Sequence, residues 1–226
     1  MMWIKSATSI EKDDAMIMNQ PGFDRKQHWE GVYRDKVASE TSWYQLTPRL
    51  SLAMIRNTGF GPGAALIDIG GGASRLVDYL LDAGYKDLTV LDLSLAALEQ
   101  ASQRLGDQAA RVKWVESDVT VFKPDRQFDI WHDRAAFHFL TAAEDRRRYM
   151  DVLKTAIGPG GQAIIATFAP GGPEKCSGLD IIQYDAGKLG TELGPEFLLQ
   201  EQEEEVHITP ANREQLFRFF RFQRRG

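Results

Sequence analysis

From residue 64 onward the chain alternates short apolar runs of strand length with segments in helical register. This alternation confines it to a parallel α/β sheet. Residues 64–69 form an apolar run closed by Gly70-Gly71-Gly72. In 74–81, Leu76, Val77, Leu80 and Leu81 recur at helical spacing. Residues 88–93 read as a second buried strand. Ser94 can cap the helix after it, in which Leu95, Leu98, Ala101 and Leu105 share a face. Residues 112–116 and 128–132 are the third and fourth strands. Thr141 and Glu144 have the spacing of a capping box ahead of a helix reaching about Ile157. Pro159-Gly160-Gly161 then turns the chain into a strand at 162–168. Strands alternating with helices imply right-handed crossovers and a sheet covered on both faces.

After Ala169 the pattern changes. Gly171-Gly172-Pro173 opens a loop, a short helix is expected at 185–193, and strands at 197–208 and 216–223 are joined around Pro210. Two strands in succession predict an antiparallel hairpin closing one sheet edge. Glu201, Glu203, Glu204 and Glu205 read as a solvated edge, since charge blocks edge pairing; a recognition role is the alternative. Residues 1–60 are mostly helical in pattern and lie outside the alternation. They are expected as a helical cap over the sheet's carboxyl edge, within the same domain as residues 61–226.

Composition narrows the classes. A hydrophobic content of 43% supports a sizeable core. A net charge of −5 argues against nucleic acid as the main partner. The single cysteine, Cys176, excludes an intramolecular disulfide framework and suggests a reducing compartment. No apolar run approaches the roughly 20 residues a membrane span needs, and Lys5, Glu11, Asp13 and Asp14 do not suit a secretory signal. A soluble, cytoplasmic monomer or homodimer with no membrane partner is expected. No His/Cys/Asp spacing points to a metal.

In a parallel sheet, ligands bind beyond the carboxyl ends of the strands. Three of the first four strand ends carry an acid. Asp68 precedes Gly70-Gly71-Gly72, whose glycines allow a tight turn and close approach to a ligand. Asp92 ends the second strand, where a carboxylate can accept both hydroxyls of a ribose. Asp118 follows the third, where it can accept from an exocyclic amine such as adenine's. A dinucleotide site needs a small residue at position 75, and this chain has Arg75 there. Asp68 suits a ligand with a cationic amino group better than a pyrophosphate. A sulfonium amino acid joined to adenosine fits the three acids better than NAD.

These residues resemble the motifs of class I S-adenosylmethionine-dependent methyltransferases. Leu66-Ile67-Asp68-Ile69-Gly70-Gly71-Gly72 is similar to their first motif and Val90-Leu91-Asp92-Leu93-Ser94 to their second-strand acidic motif. Glu116-Ser117-Asp118-Val119 resembles the adenine-contacting motif, and Phe128-Asp129-Ile130-Trp131-His132-Asp133 the fourth-strand motif. Gly158-Pro159-Gly160-Gly161 resembles the turn before the fifth strand. The resemblance implies a Rossmann-like, seven-stranded, mostly parallel sheet with helices on both faces and the last strand antiparallel. It implies S-adenosyl-L-methionine as cofactor, held by Asp68, Gly70, Gly71, Gly72, Asp92, Leu93, Asp118 and Val119. The segment His28-Trp29-Glu30 to Tyr33, with Ser42-Trp43-Tyr44, resembles the cap of small methyltransferases. By that resemblance Trp29, Tyr33 and Trp43 close over the cofactor.

Candidate catalytic residues follow the fourth strand. Asp133 can orient or deprotonate an acceptor, Arg134 can bind an anionic one, and His138 titrates near working pH. Each also has a structural reading: Asp133 and Arg134 as an ion pair, His138 as a packed histidine. Asp133-Arg134-Ala135-Ala136 departs from the N/D-P-P-Y sequence of many amine methylators. Arg146-Arg147-Arg148 reads as a solvated face, and Cys176 as an inert thiol. The expected activity is methylation of a small acceptor at sulfur, nitrogen or oxygen. Lysine methylation of a protein is the alternative, with a NAD-binding oxidoreductase or a non-catalytic cofactor binder behind it.

Overall fold

The expected alternation builds one sheet. Its strands are β1 (Ala65–Ile69), β2 (Asp87–Asp92), β3 (Val112–Glu116), β4 (Phe128–Arg134), β5 (Ile157–Phe168), β6 (Phe197–Ile208) and β7 (Glu214–Arg224). The computed structural model describes residues 23–226. Residues 1–22 of the expected cap, Trp3 among them, lie outside the described residues. The strand order is β3-β2-β1-β4-β5-β7-β6. β3 to β5 run parallel, and β7 runs antiparallel to both neighbours. The order reverses at β1, and β4 starts the second half, so the crevice between their carboxyl ends is the switch point at which such sheets bind ligands.

Among the described residues, two helices precede the sheet, α1 (Arg25–Asp35) and α2 (Arg49–Asn57). α3 (Leu76–Asp82), α4 (Leu95–Leu105) and α5 (Ala143–Ala156) lie within the alternation, and α6 (Ala186–Leu193) follows β5. Ser94 caps α4 by accepting from the Ala97 amide at 3.2 Å, as its position suggested. The capping box at Thr141 and Glu144 does not form. Ala142 holds the N-cap position of α5 without a side-chain bond. Glu144 instead pairs with Arg147 and Arg148. The Arg146 guanidinium donates to the Leu140 and Thr141 carbonyls and pairs with Glu192 at 2.7 Å. Arg146 is therefore a tether between segments and not part of a solvated face. β5 starts at Ile157, earlier than expected: the strand continues through Gly158 to Gly161 across a register shift between Phe128 and Ile130, with Gly160 at φ +83°.

The core lies on both sheet faces, and β7 serves both. Phe217 and Phe219 pack on one side, Phe220 and Phe222 on the other, with the period of two that a strand imposes. Phe220→Ala should cost about 3–5 kcal/mol, from lost transfer energy and the cavity left behind. Denaturant unfolding of the two proteins measures this.

Candidate active site

The turn after β1 brings backbone and acids together. Gly70 has φ +64°, and a Cβ there would stand 2.9 Å from the Cβ of Ala136. A Cβ at Gly72 would stand 2.5 Å from Asp92 Oδ2. The loop is thus wedged between the end of β2 and the turn after β4, where Ala135 itself takes φ +70°. Asp68 is buried, with Oδ1 2.7 Å from His132 Nδ1. Asp92 accepts from the Ser94 amide at 2.8 Å. Burial pushes its carboxyl up to about 7, and the negative charge of Asp68 adds to the rise.

A cavity opens over these strand ends, at the place where such sheets take their ligands. Gly70, Asp92, Leu93, Asp118 and Val119 border it from the sheet. Trp29, Tyr33 and Trp43 border it from the cap. The Trp29 ring meets Trp43 edge-on at 5.5 Å and Phe139 at 4.9 Å, and Trp43 Nε1–H donates to the Tyr33 hydroxyl at 3.1 Å. A second cavity adjoins it, sharing Tyr33, Trp43, Gly70 and Arg134. Asp68 and Gly71 border only this one, and Gly72 borders neither. Gly72 serves instead to let Asp92 and Ala97 come close.

The cap is fastened to the site's own acids. Glu30 accepts from Ser94 Oγ at 2.8 Å and from the Ala96 amide at 3.2 Å. Gln100 donates to the Tyr33 and Lys36 carbonyls. Arg25, a cavity residue that the sequence did not single out, pairs with Asp118 at 3.0 Å and Asp145 at 3.2 Å. Asp118 Oδ1 also accepts from the amide and hydroxyl of Thr120. An adenine amine at Asp118 would therefore share an oxygen with protein donors.

Two of the three candidate catalytic residues are displaced from their expected role. Asp133 is fully buried and borders neither cavity. It accepts from Tyr149 Oη at 2.7 Å and from the Ala136 and Phe137 amides, so it holds the turn after β4 and makes no pair with Arg134. Burial pushes its carboxyl up to about 6. His138 is also fully buried, between Phe139 and Phe168. Its Nδ1 accepts from the Phe168 amide at 3.3 Å, and burial holds the ring down at about 3, so it stays neutral. Strand alternation explains the first: Asp133 points to the α5 face, opposite the face of His132 and Arg134; His138 lies beyond the strand and is buried by Phe168.

Arg134 does reach the cavities. Its Nη1 donates to the Trp43 carbonyl at 2.9 Å, and the guanidinium lies 4.5 Å over the Phe217 ring. Glu205 stands 3.7 Å from Nη2, and both Nε and Nη2 are buried without a hydrogen-bond partner among the described residues. Cys176 borders the main cavity, but burial pushes its thiol up to about 12, which removes the reactive thiolate.

Residues 66–161 match the family described as a methyltransferase domain. That segment runs from β1 to the start of β5 and holds the glycine loop, Asp92 and Asp118. Among curated relatives, the mouse eEF1A lysine and N-terminal methyltransferase is 24% identical over 54% of this chain. The malonyl-[acyl-carrier protein] O-methyltransferase of Anoxybacillus flavithermus is 31% identical over 52% of it. The chain spans 18% and 44% of these proteins' lengths. The 1,6-didemethyltoxoflavin-N1-methyltransferase of Burkholderia thailandensis superposes with a TM-score of 0.67 at 16% identity, covering 99% of this chain and 94% of that one. It was solved with S-adenosylhomocysteine and 1,6-didemethyltoxoflavin bound.

The methyltransferase site suits its cofactor on structural grounds. Asp68 and Asp92 lie buried at adjoining cavities, and the glycine loop between them leaves no room for a Cβ at Gly71 or Gly72. Without a ligand the Asp92 charge is costly. A carboxyl raised in the folded state binds its proton more tightly there than in the unfolded chain. Its contribution therefore falls as pH rises from about 4 toward 7. Asp92→Asn should remove that loss and still accept from Ser94. The variant's stability advantage should grow by about 2 kcal/mol between pH 5 and pH 8, read from urea unfolding at each pH.

Proposed function

We propose that the chain moves the methyl group of S-adenosylmethionine to a small acceptor carrying an anionic group. The observation that carries this is the cavity at the switch point, lined by Trp29, Tyr33 and Trp43 from the cap and by both the acid Asp92 and the cation Arg134. The cofactor supplies a methyl carbon already activated by a sulfonium. The protein's share is then to align donor and acceptor and to exclude water.

Asp92 would accept from the ribose hydroxyls, Asp68 would face the amino group, and Asp118 and Val119 would flank the base. The aromatic lining favours a cationic ligand. Arg134 lines the same cavity as Cys176, with Glu205 and Phe217 of β6 and β7 around it. An anion there would satisfy nitrogens that otherwise stay unpaired, an uncompensated burial being worth about 1–3 kcal/mol or more for charged groups. With Asp133 and His138 turned away, the acceptor suited to this site is a nucleophile already in reactive form, such as a carboxylate.

A protein lysine is the second reading, favoured by the name of the mouse relative. The buried Arg134 cation opposes an ammonium-bearing acceptor in the same cavity.

Calorimetric titration with S-adenosylhomocysteine tests the cofactor. Binding is expected, and Asp92→Ala should lose roughly 1–3 kcal/mol of it. Incubation with methyl-labelled cofactor, a small-molecule extract and a protein lysate tests the acceptor. Label in a small product whose precursor is acidic is expected; label confined to one protein band would reverse the assignment. Arg134→Gln should cut turnover of that product's precursor roughly 10- to 100-fold while S-adenosylhomocysteine affinity stays within about threefold.

A further inference from the structure

Behind Asp68 lies a buried chain of polar side chains that the methyl-transfer site itself does not require. β1 and β4 pair so that Asp68 stands directly opposite His132. On neighbouring parallel strands such partners share a face, and Asp68 Oδ1 is 2.7 Å from His132 Nδ1. His132 Nε2 is 2.9 Å from Ser51 Oγ, on the first turn of α2. All three residues are at most 4% exposed. The second oxygen of Asp68 lies at the glycine loop, where a Cβ on Gly71 would come within 2.5 Å of it.

We infer that His132, backed by Ser51, is a positioning residue that orients Asp68 toward the cofactor's amino group. The inference rests on the proposed function and deepens it. With Nδ1–H donated to Asp68, Nε2 is left as an acceptor, and the Ser51 hydroxyl is the donor that fills it. The imidazole is thereby fixed in one tautomer and one ring orientation. One Asp68 oxygen is occupied from behind, and the other is aimed at the second cavity. A carboxylate supported this way stays in place and needs no reorganisation when a cationic ligand arrives. The order Ser51, His132, Asp68 is also that of a hydrolytic relay. Ser51 is 1% exposed, however, so its oxygen is not presented to solvent even though the residue borders the second cavity.

Two ligands separate positioning from general packing. S-Adenosylhomocysteine carries the amino group, and 5′-methylthioadenosine keeps the nucleoside and thioether without the amino acid. Calorimetry on the wild-type chain should give tighter binding of the first. His132→Leu should weaken S-adenosylhomocysteine roughly 10- to 100-fold, the range for a lost hydrogen bond to a charged group, and leave 5′-methylthioadenosine within about twofold. His132→Asn, whose amide can replace the Nδ1 donor, should restore most of the loss. Ser51→Ala should give a smaller loss, about threefold to tenfold, again confined to S-adenosylhomocysteine. Equal weakening of both ligands, or unchanged S-adenosylhomocysteine affinity in His132→Leu, overturns the inference. If His132→Leu does not fold, Ser51→Ala and His132→Asn decide by the same comparison. Failure of the wild-type chain to bind S-adenosylhomocysteine would overturn the cofactor assignment instead.

Discussion

The register of β1 between β2 and β4 is the constraint on which the site depends. It sets Asp68 beside Val90 on one side and His132 on the other. It also brings the loop at Gly70 against Ala136 and the loop at Gly72 against Asp92. Because side chains alternate along a strand, a slip of one residue in β4 would exchange His132 with Asp133 and put a different acid on each face. The cavity, the paired strand ends and the seat of the cap all inherit this one alignment. The anchors of the cap follow from it too: Glu30 docks on the α4 terminus that Ser94 starts, and Arg25 on the acid after β3.

The same alignment gathers charge where the protein has little water. Asp92 is buried close to Asp68 and lacks a cationic partner of its own among the described residues, while Arg134 keeps two nitrogens without acceptors. Burying each carries a desolvation cost. They are also opposite in sign and line one cavity. A ligand pair bringing hydrogen-bond donors to Asp92 and negative charge to Arg134 would relieve both. Strain of this kind is the usual cost of a site built for binding.

The strand–helix alternation and its hydrophobic spacing carried the fold: the β3, β6 and α6 regions fall at or next to their expected positions. The donor half of the site was legible because Asp68, Asp92 and Asp118 occupy strand ends, which sequence period alone locates. The acceptor half was not. Whether Asp133 or Arg134 faces the cavity depends on the strand's face, and a strand buried on both sides has no polar alternation to reveal it. His138 looked titratable because its burial comes from Phe168, a residue distant in sequence. The Asp68–His132–Ser51 chain needed the β1–β4 register and the placement of α2, neither of which is written locally. Arg25 was hidden for a similar reason: it is an ordinary charged residue of a polar helix until Asp118 is brought to it.

The strand Glu214–Arg224 lies inside the sheet, between β5 and the edge strand β6. As the chain is synthesised, β5 therefore presents an open hydrogen-bonding edge and two half-covered faces until that strand is made. Phe217, sitting beneath the Arg134 guanidinium, arrives at the same late moment. The Arg134 side of the cavity and the sheet's interior are thus completed in one step. A nascent chain reaches that step with the Asp68 and Asp92 strand ends already synthesised. Its exposure to aggregation is longest at β5, the strand that waits.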